Sequence, residues 1–387
     1  MISNKPKSKI LHSIAEFTEG ESYSSFKYCL DDINVPTVIY DDPQDIKFKK
    51  GGETDKGLKT PKSVEELAKS LLQKGLVLFK YFLDGSRKTY KVDDIAYGNK
   101  LFPIISGQVG VACCQRRSPD DFKSLIFKRS LVVSLPEIAN AGSQESTLFF
   151  NNLAKKINEK EFLKNMGLKV DKVLPYSSSI TKEETYEDKG TASIHTYMLE
   201  SEKGLVKQLA SEKKLNTDNY LIKDGSLEYQ KMPKSEFKSL SNYKSNYARV
   251  VGVSKAFNPE TLSKNVKGIA KIIAGLKTFE RTPAFKYSTS RVGLDVHFAV
   301  WYLRLRDSTS PFDGIIKVEK VLVSEKEEED GLSSDEIDLI SANLMNERFP
   351  VSYGKDSRWA KHLYPIYLTE SFIKSNYLSD VYFKHLF

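Results

Sequence analysis

Leu76-Val77-Leu78-Phe79-Lys80-Tyr81-Phe82-Leu83-Asp84-Gly85-Ser86 and Asn219-Tyr220-Leu221-Ile222-Lys223-Asp224-Gly225-Ser226-Leu227 are two versions of one pattern. Each is an apolar run of strand length closed by aspartate, glycine and serine. Such a run bounded by a turn signal reads as a buried strand, and the glycine can take a positive φ. A carboxylate at a strand end is held by the sheet yet open to a cleft. If the two strands are neighbours, Asp84 and Asp224 converge. That outlines a divalent-metal site, because hard cations take oxygen ligands from rigid elements. Asp-Gly is also a common turn dipeptide, so the alternative is two ordinary strand-to-turn junctions.

Outward from these two strands, the pattern continues in both directions. Lys100 to Cys114 and Leu125 to Leu135 read as strands that make an antiparallel meander with the first. Gly107 and Gly110 inside the second suggest bulges or a close backbone approach. Helical patterns cover Leu148 to Met166 and Thr191 to Ser211. After the strand that carries Asp224 come an apolar strand, Tyr247 to Val253, ending at Ser254-Lys255, and a helix, Pro259 to Leu276. Strands follow at Val296 to Leu305 and Gly314 to Val323. The acidic run Ser324 to Asp330 reads as a solvated loop. Helices are expected at Ser334 to Asn346 and across Leu363 to Leu386. Before the first strand, Ser63 starts a helix with Leu67, Leu71 and Leu72 as its apolar stripe. Residues 1–62 read as a separate arm: an amphipathic helix at Ile10 to Phe17, then a polar, flexible connector over Lys47 to Lys62. Residues 63–387 form the main domain. The order of meander, helices, carboxylate strand, strand and helix predicts an α/β fold, a ribonuclease-H-like mixed sheet flanked by helices, with an N-terminal extension.

Composition narrows the class. The 387 residues are 40% hydrophobic and 11% aromatic, with a net charge of +8. That suffices for a large core and suits a polyanionic partner. No apolar run approaches the roughly 20 residues of a membrane-spanning helix, so no membrane association is expected. Met1 to Lys9 has no apolar signal core. Cys29, Cys113 and Cys114 lack metal-ligand spacing and read as free thiols in a reducing cytoplasm, with Cys113 and Cys114, at the end of an apolar strand, as buried small hydrophobes.

The chain resembles the NurA nucleases from about Leu76 to Glu370. The motifs, in order, are the strand with Asp84-Gly85-Ser86; Met198-Leu199-Glu200-Ser201-Glu202 followed by Leu205, Val206 and Leu209; Tyr220 to Leu227; Val250-Val251-Gly252-Val253-Ser254-Lys255; and Tyr364-Pro365-Ile366-Tyr367-Leu368-Thr369-Glu370. The resemblance implies a manganese- or magnesium-dependent DNA nuclease, a homodimer that works beside a HerA-type hexameric ATPase in DNA-end processing or anti-phage defence. It implies a metal site from Asp84, a helical glutamate, Asp224 and residues near the C-terminus, with Tyr364 matching the family tyrosine. Where the family often has histidine this chain has Glu370, which can also ligate Mn²⁺ or Mg²⁺. His362 is the alternative.

Helical spacing chooses between Glu200 and Glu202. Glu202 shares a face with Met198, Leu205, Val206 and Leu209 and points at the sheet, while Glu200 shares a face with Lys203 and Lys207. A glutamate on an apolar face needs a partner charge, either a metal or a core lysine or arginine. Lys255 at a strand end can sit over a scissile phosphate, brace a ligand carboxylate, or simply be solvated. The expected catalytic set is thus Asp84, Glu202, Asp224, Tyr364 and Lys255, with Asp84, Glu202, Asp224 and Glu370 as ligands. Two divalent ions about 4 Å apart would lower the pKa of the attacking water and neutralise the leaving oxygen. Arg87, Lys88, Arg116, Arg117, Lys123 and Lys128 are candidates for the DNA backbone or for a solvated surface. Two rivals share the fold: a catalytically weak DNA-clamp subunit, and a guided nuclease of the Piwi type, for which the chain is short. The apolar C-terminus (Ile373, Tyr377, Leu378, Val381, Tyr382, Phe383, Phe387) points to a docked dimer segment. The N-terminal helix suits docking to the ATPase.

Overall fold

The computed structural model describes residues 9–23, 27–31, 46–142, 145–181, 184–227, 237–257, 268–289, 296–307, 311–351 and 359–387. The described chain folds around one mixed sheet flanked by helices. Its central strands are β5 (Phe79–Tyr97), β6 (Lys100–Ser118) and β7 (Asp121–Pro136), paired antiparallel as the meander expected. They run much further than their apolar stretches. β5 continues straight through Asp84-Gly85-Ser86, because each polar residue there has a paired neighbour in β6.

β8 (Val170–Tyr176) pairs parallel with β7. On the other side of β5 lie β9 (Tyr220–Asp224) and then β10 (Val250–Ser254), both parallel to it. The sheet continues antiparallel through β14 (Ile315–Val321), β13 (His297–Arg304), β12 (Phe285–Thr289) and β3 (Ile46–Lys50). Short strands β1 (Glu21–Tyr23) and β2 (Tyr28–Cys29) pair with β5, and β4 (Lys62–Ser63) pairs with β11 (Glu280–Arg281).

Period-two alternation divides the core. Tyr81, Leu83 and Leu221 face the long helix Tyr186–Ser211 with its Met198, Leu205 and Leu209. Phe82, Ile222 and Val253 face Ile337 and Leu344 of helix Ser334–Asn346 and Ile366 of helix Tyr364–Ser375, and Phe79 joins them because the register shifts between it and Tyr81. The glycines inside β6 mark close helix approach and not bulges. A Cβ at Gly107 would lie 3.2 Å from Ile194, and one at Gly110 only 2.3 Å from Ile373.

Several expectations change. The arm is not separate: Ile10, Leu11 and Ile14 of helix Lys9–Thr18 are buried with Tyr90, Phe102 and Phe150. The connector over residues 47–62 contributes β3 and a buried carboxylate, Glu53. Glu53 holds Arg281 at 3.0 and 3.2 Å and accepts the Ala284 N–H at 2.6 Å. Arg281 in turn donates to Asp338 at 2.6 Å, and Lys62 joins the same carboxylate at 2.5 Å. A guanidinium binds two carboxylates at once through its planar fork, which explains how a polar segment is tied into the core. Pro36 and Asp41-Asp42-Pro43 lie outside the described residues.

The C-terminal apolar residues are used within the chain. Ile373, Phe383 and Phe387 are buried, and Val381 and Tyr382 remain exposed. With the N-terminal helix also docked internally, the dimer and the ATPase partner rest on the family resemblance alone. The acidic run forms a helix, Glu325–Asp330, begun by a reciprocal cap between Ser324 and Glu327. The helix expected at Leu148 to Met166 is two, Ser146–Asn158 and Glu161–Asn165. The start of the strand expected from Tyr247 is instead the end of helix Phe237–Tyr247. Of the helix expected over Pro259 to Leu276, residues 258–267 lie outside the described set, and Ile269–Ala274 is helical. None of the three cysteines forms a disulfide; Cys113 and Cys114 are buried as expected, and Cys29 is buried too. Among the described residues no helix is long and apolar enough to cross a membrane.

Breaking a buried ion pair from one side strands the other charge. Glu53→Ala is therefore expected to destabilise the fold by about 3–5 kcal/mol. Urea unfolding of the full chain measures it, and a loss below 1 kcal/mol would show that Glu53 does not tie residues 51–63 to the core.

Candidate functional site

The parallel pairing of β5 with β9 sets Leu83 opposite Lys223. The next residues, Asp84 and Asp224, therefore stand side by side on strands about 4.8 Å apart. Alternation puts both on the face of Phe82 and Ile222, beneath helix Tyr364–Ser375. Val253 of β10 pairs with Asp224. Lys255, two residues on, brings its Nζ to Asp224 Oδ2 at 2.9 Å. Glu370 comes from the overlying helix and is held by Lys374 at 2.7 Å.

Asp84 is only 4% exposed. Its Oδ1 accepts the Gly85 N–H at 2.8 Å. Its Oδ2 is buried with no hydrogen-bond partner among the described residues. Burial, then the charges of Asp224, Glu370 and Glu202, push its pKa well above the carboxylate range, against the pull of Lys255. Burial alone would lower the pKa of Lys255, but Asp224, Asp84 and Glu370 raise it above the ordinary lysine value. One buried ammonium thus sits among three carboxylates.

The two Asp-Gly-Ser segments are not equivalent. Gly225 makes the expected turn, with φ +81°. Gly85 stays inside β5 and serves a different need: a Cβ there would lie 2.2 Å from Glu202 Oε1. Glu202 therefore approaches the sheet from the side of Leu83 and Lys223, across the sheet from the side chains of Asp84 and Asp224. The helical spacing selects the inward glutamate correctly. Glu202 is 2% exposed, whereas Glu200 is exposed beside Lys203. Its partner is the core lysine of the two alternatives, Lys223, at 3.1 Å. Burial still raises the Glu202 pKa against that lysine.

Tyr364 is half-buried where its helix begins. Its ring stacks on Tyr367, and its N–H donates to Glu347 O at 2.8 Å. His362 is buried and also stacks on Tyr367. Glu370, not His362, is the C-terminal residue whose charge acts on Asp84.

The basic candidates separate. Arg116 is a structural brace, held by Glu347 at 2.8 Å and the Phe79 carbonyl at 2.9 Å. Arg87 pairs with Asp31 at 3.2 Å and Lys88 with Asp380 at 2.7 Å. Arg117 is exposed. Lys123 and Lys128 are exposed too, but Lys128 pairs with Val111, whose side chain faces helix Tyr186–Ser211. Lys128 thus lies on the face away from Asp84. Arg129, which the sequence did not single out, shares the Ser86–Gly110 row on the Asp84 face and is exposed. Only strand register reveals it. Lys223, Lys317 and Glu319 were also missed, although charged residues at inward positions of apolar strands are a visible signal.

Among the described residues no group of three or more His, Cys, Asp or Glu side chains is arranged to hold a metal ion. No protein-family model matches the chain, and no curated protein matches it.

Gly85→Ala is expected to displace Glu202 from Lys223 and cost about 1–3 kcal/mol. Gly204, in the same helix as Glu202, has open space where a Cβ would go. Gly204→Ala should stabilise by about 0.5–1 kcal/mol through helix propensity alone. Thermal melts of both variants check the contrast.

The raised pKa of Asp84 also has a sign. A carboxyl whose native pKa lies above its unfolded value contributes stability at low pH and loses that contribution as pH rises through the native pKa. With a chelator present, Asp84→Asn should therefore be more stable than the wild type at pH about 8, the gap closing as pH falls toward about 4. Denaturation across that range measures it, and a gap that widens at low pH would contradict the assignment.

Proposed function

We propose that this protein is a divalent-metal-dependent nuclease that hydrolyses DNA phosphodiesters, built on a ribonuclease-H-like sheet. The observation that carries the reading is Asp84: a buried carboxylate with an unpartnered oxygen, beside Asp224 and Glu370. With all three carboxylates ionised, such a cluster would carry more negative charge than Lys255 offsets. Its donors are all carboxylate oxygens, the set that suits Mn²⁺ or Mg²⁺ over softer metals. Asp84, Asp224 and Glu370 would hold the ion only after their side chains turn toward a common point, since they are not gathered around one in the structure. When bound, a divalent cation lowers the pKa of a coordinated water and neutralises charge on a leaving oxygen. The sheet order supports the same reading: a meander whose first strand is parallel to a later carboxylate strand, with helices on both faces.

The chain's own groups then divide the work. β5 and β9 keep the two aspartates at fixed separation, so little reorganisation accompanies substrate binding. Lys255, already an ammonium among carboxylates, offers a donor to a phosphoryl oxygen. Arg129 and Arg117 are exposed cations suited to the nucleic-acid backbone. Glu202 acts from across the sheet and supports the site without joining it.

A second reading, the catalytically weak DNA-clamp subunit, is favoured by one contact. Lys255 Nζ at 2.9 Å from Asp224 Oδ2 already supplies part of the positive charge the carboxylates require.

The two readings part on a cleavage assay with Mn²⁺ and labelled DNA. For a nuclease, Asp84→Asn and Asp224→Asn each slow cleavage at least about 100-fold, ~2.7 kcal/mol in the barrier. Glu200→Gln stays within about twofold, as surface changes usually do. Wild-type rates in both aspartate variants would sink the assignment. DNA binding by the wild type without any cleavage would favour the clamp.

A further inference from the structure

The carboxylate of Asp224 occupies the last position of β9, immediately before a left-handed glycine. Lys255 Nζ meets that carboxylate at 2.9 Å from the near side, and the Gly225 N–H donates to Val253 O at 2.8 Å. Two buried ion pairs on the opposite face of the sheet grip the backbone on either side of it. Lys223 Nζ lies 2.6 Å from the carbonyl oxygen of Asp224 itself and 3.1 Å from Glu202 Oε2. Glu319 Oε2 accepts the Ser226 hydroxyl at 2.9 Å and the Leu227 N–H at 2.8 Å, while its Oε1 meets Lys317 Nζ at 2.7 Å. Lys223, Glu202, Lys317 and Glu319 are each at most 2% exposed. The Leu227 side chain seats on Gly252, where a Cβ would come within 2.7 Å of it.

Four buried charges are a poor way to stabilise a fold. Apolar residues of similar volume usually do as well or better. Charge-assisted bonds to backbone groups do supply direction, which apolar packing does not. We propose that the Glu202–Lys223 and Lys317–Glu319 pairs form a back-face clamp on the Asp224-Gly225-Ser226-Leu227 turn. Lys223 and Glu319 are then positioning residues that aim Asp224 into the carboxylate cluster. The inference rests on Asp224 being a ligand, but the clamp has a readout of its own.

The test uses the full chain with the second pair made apolar, Lys317→Met with Glu319→Met, so that no charge is stranded. The partner variant, Lys317→Met with Glu319→Gln, keeps an acceptor for Ser226 and Leu227. Hydrogen exchange of the Leu227 amide and Mn²⁺ titration by calorimetry are measured on all three proteins. The clamp predicts about tenfold faster exchange at Leu227 in the double-methionine protein and Mn²⁺ binding about 10–100-fold weaker. Both losses should be largely recovered by the glutamine variant. Unchanged exchange at Leu227 overturns the clamp outright. Faster exchange with unchanged Mn²⁺ affinity overturns its positioning role. A wild type that binds no Mn²⁺ instead defeats the nuclease reading, and the exchange data still decide whether the turn is clamped.

Discussion

The register of one parallel strand pair governs everything proposed for this molecule. Leu83 opposite Lys223 puts Asp84 beside Asp224, and the same register sends Gly85 and Lys223 to the other face. Because side chains alternate with a period of two, a slip of β9 by one residue would turn its side chains to the opposite faces while those of β5 stayed in place. Asp224 would then meet the apolar face of helix Tyr186–Ser211, and Lys223 would stand beside Asp84. Apolar residues alternating along β5 and β9 make that slip costly, since each face has its own complementary helices.

Charge inside this core serves register and attachment more than net stability. Glu53, Arg281, Asp338 and Lys62 join a polar segment near the N-terminus to the sheet and to helix Ser334–Asn346. Arg116 ties β6 to Glu347 and to the Phe79 carbonyl, at the start of the strand that bears Asp84. Glu347 in turn accepts the N–H of Tyr364, which opens the helix carrying Glu370. A path of hydrogen bonds thus runs from β6 to the helix above the carboxylates. Each link leaves a costly orphan if cut, so the elements around the site are held in one arrangement.

The carboxylate cluster itself is in electrostatic tension. Burial, with the charges of Asp224 and Glu370 beside it, disfavours the ionised form of Asp84, and the Lys255 ammonium relieves this only in part. Concentrating like charge in a low-dielectric site makes it responsive to an added cation or to protons, which is the property a metal-dependent hydrolase requires.

The sequence by itself determined the local elements and the two aspartates. Apolar runs marked the strands, and helical spacing separated inward Glu202 from outward Glu200, because periodicity is a property of neighbours along the chain. The Ser324–Glu327 cap was legible on the same grounds but was hidden by the acidity of the run. Only the tertiary structure decided which face each charge occupies. Asp84 and Glu202 look like one ligand set in sequence, yet Gly85 receives Glu202 from the far side while Asp84 points to the near side. The arm and the apolar C-terminus looked like docking segments until their partners proved to be Tyr90, Phe102 and Phe150 of the same chain. Pairing register and long-range partners depend on residues hundreds of positions apart, and no local pattern encodes which of several complementary surfaces will meet.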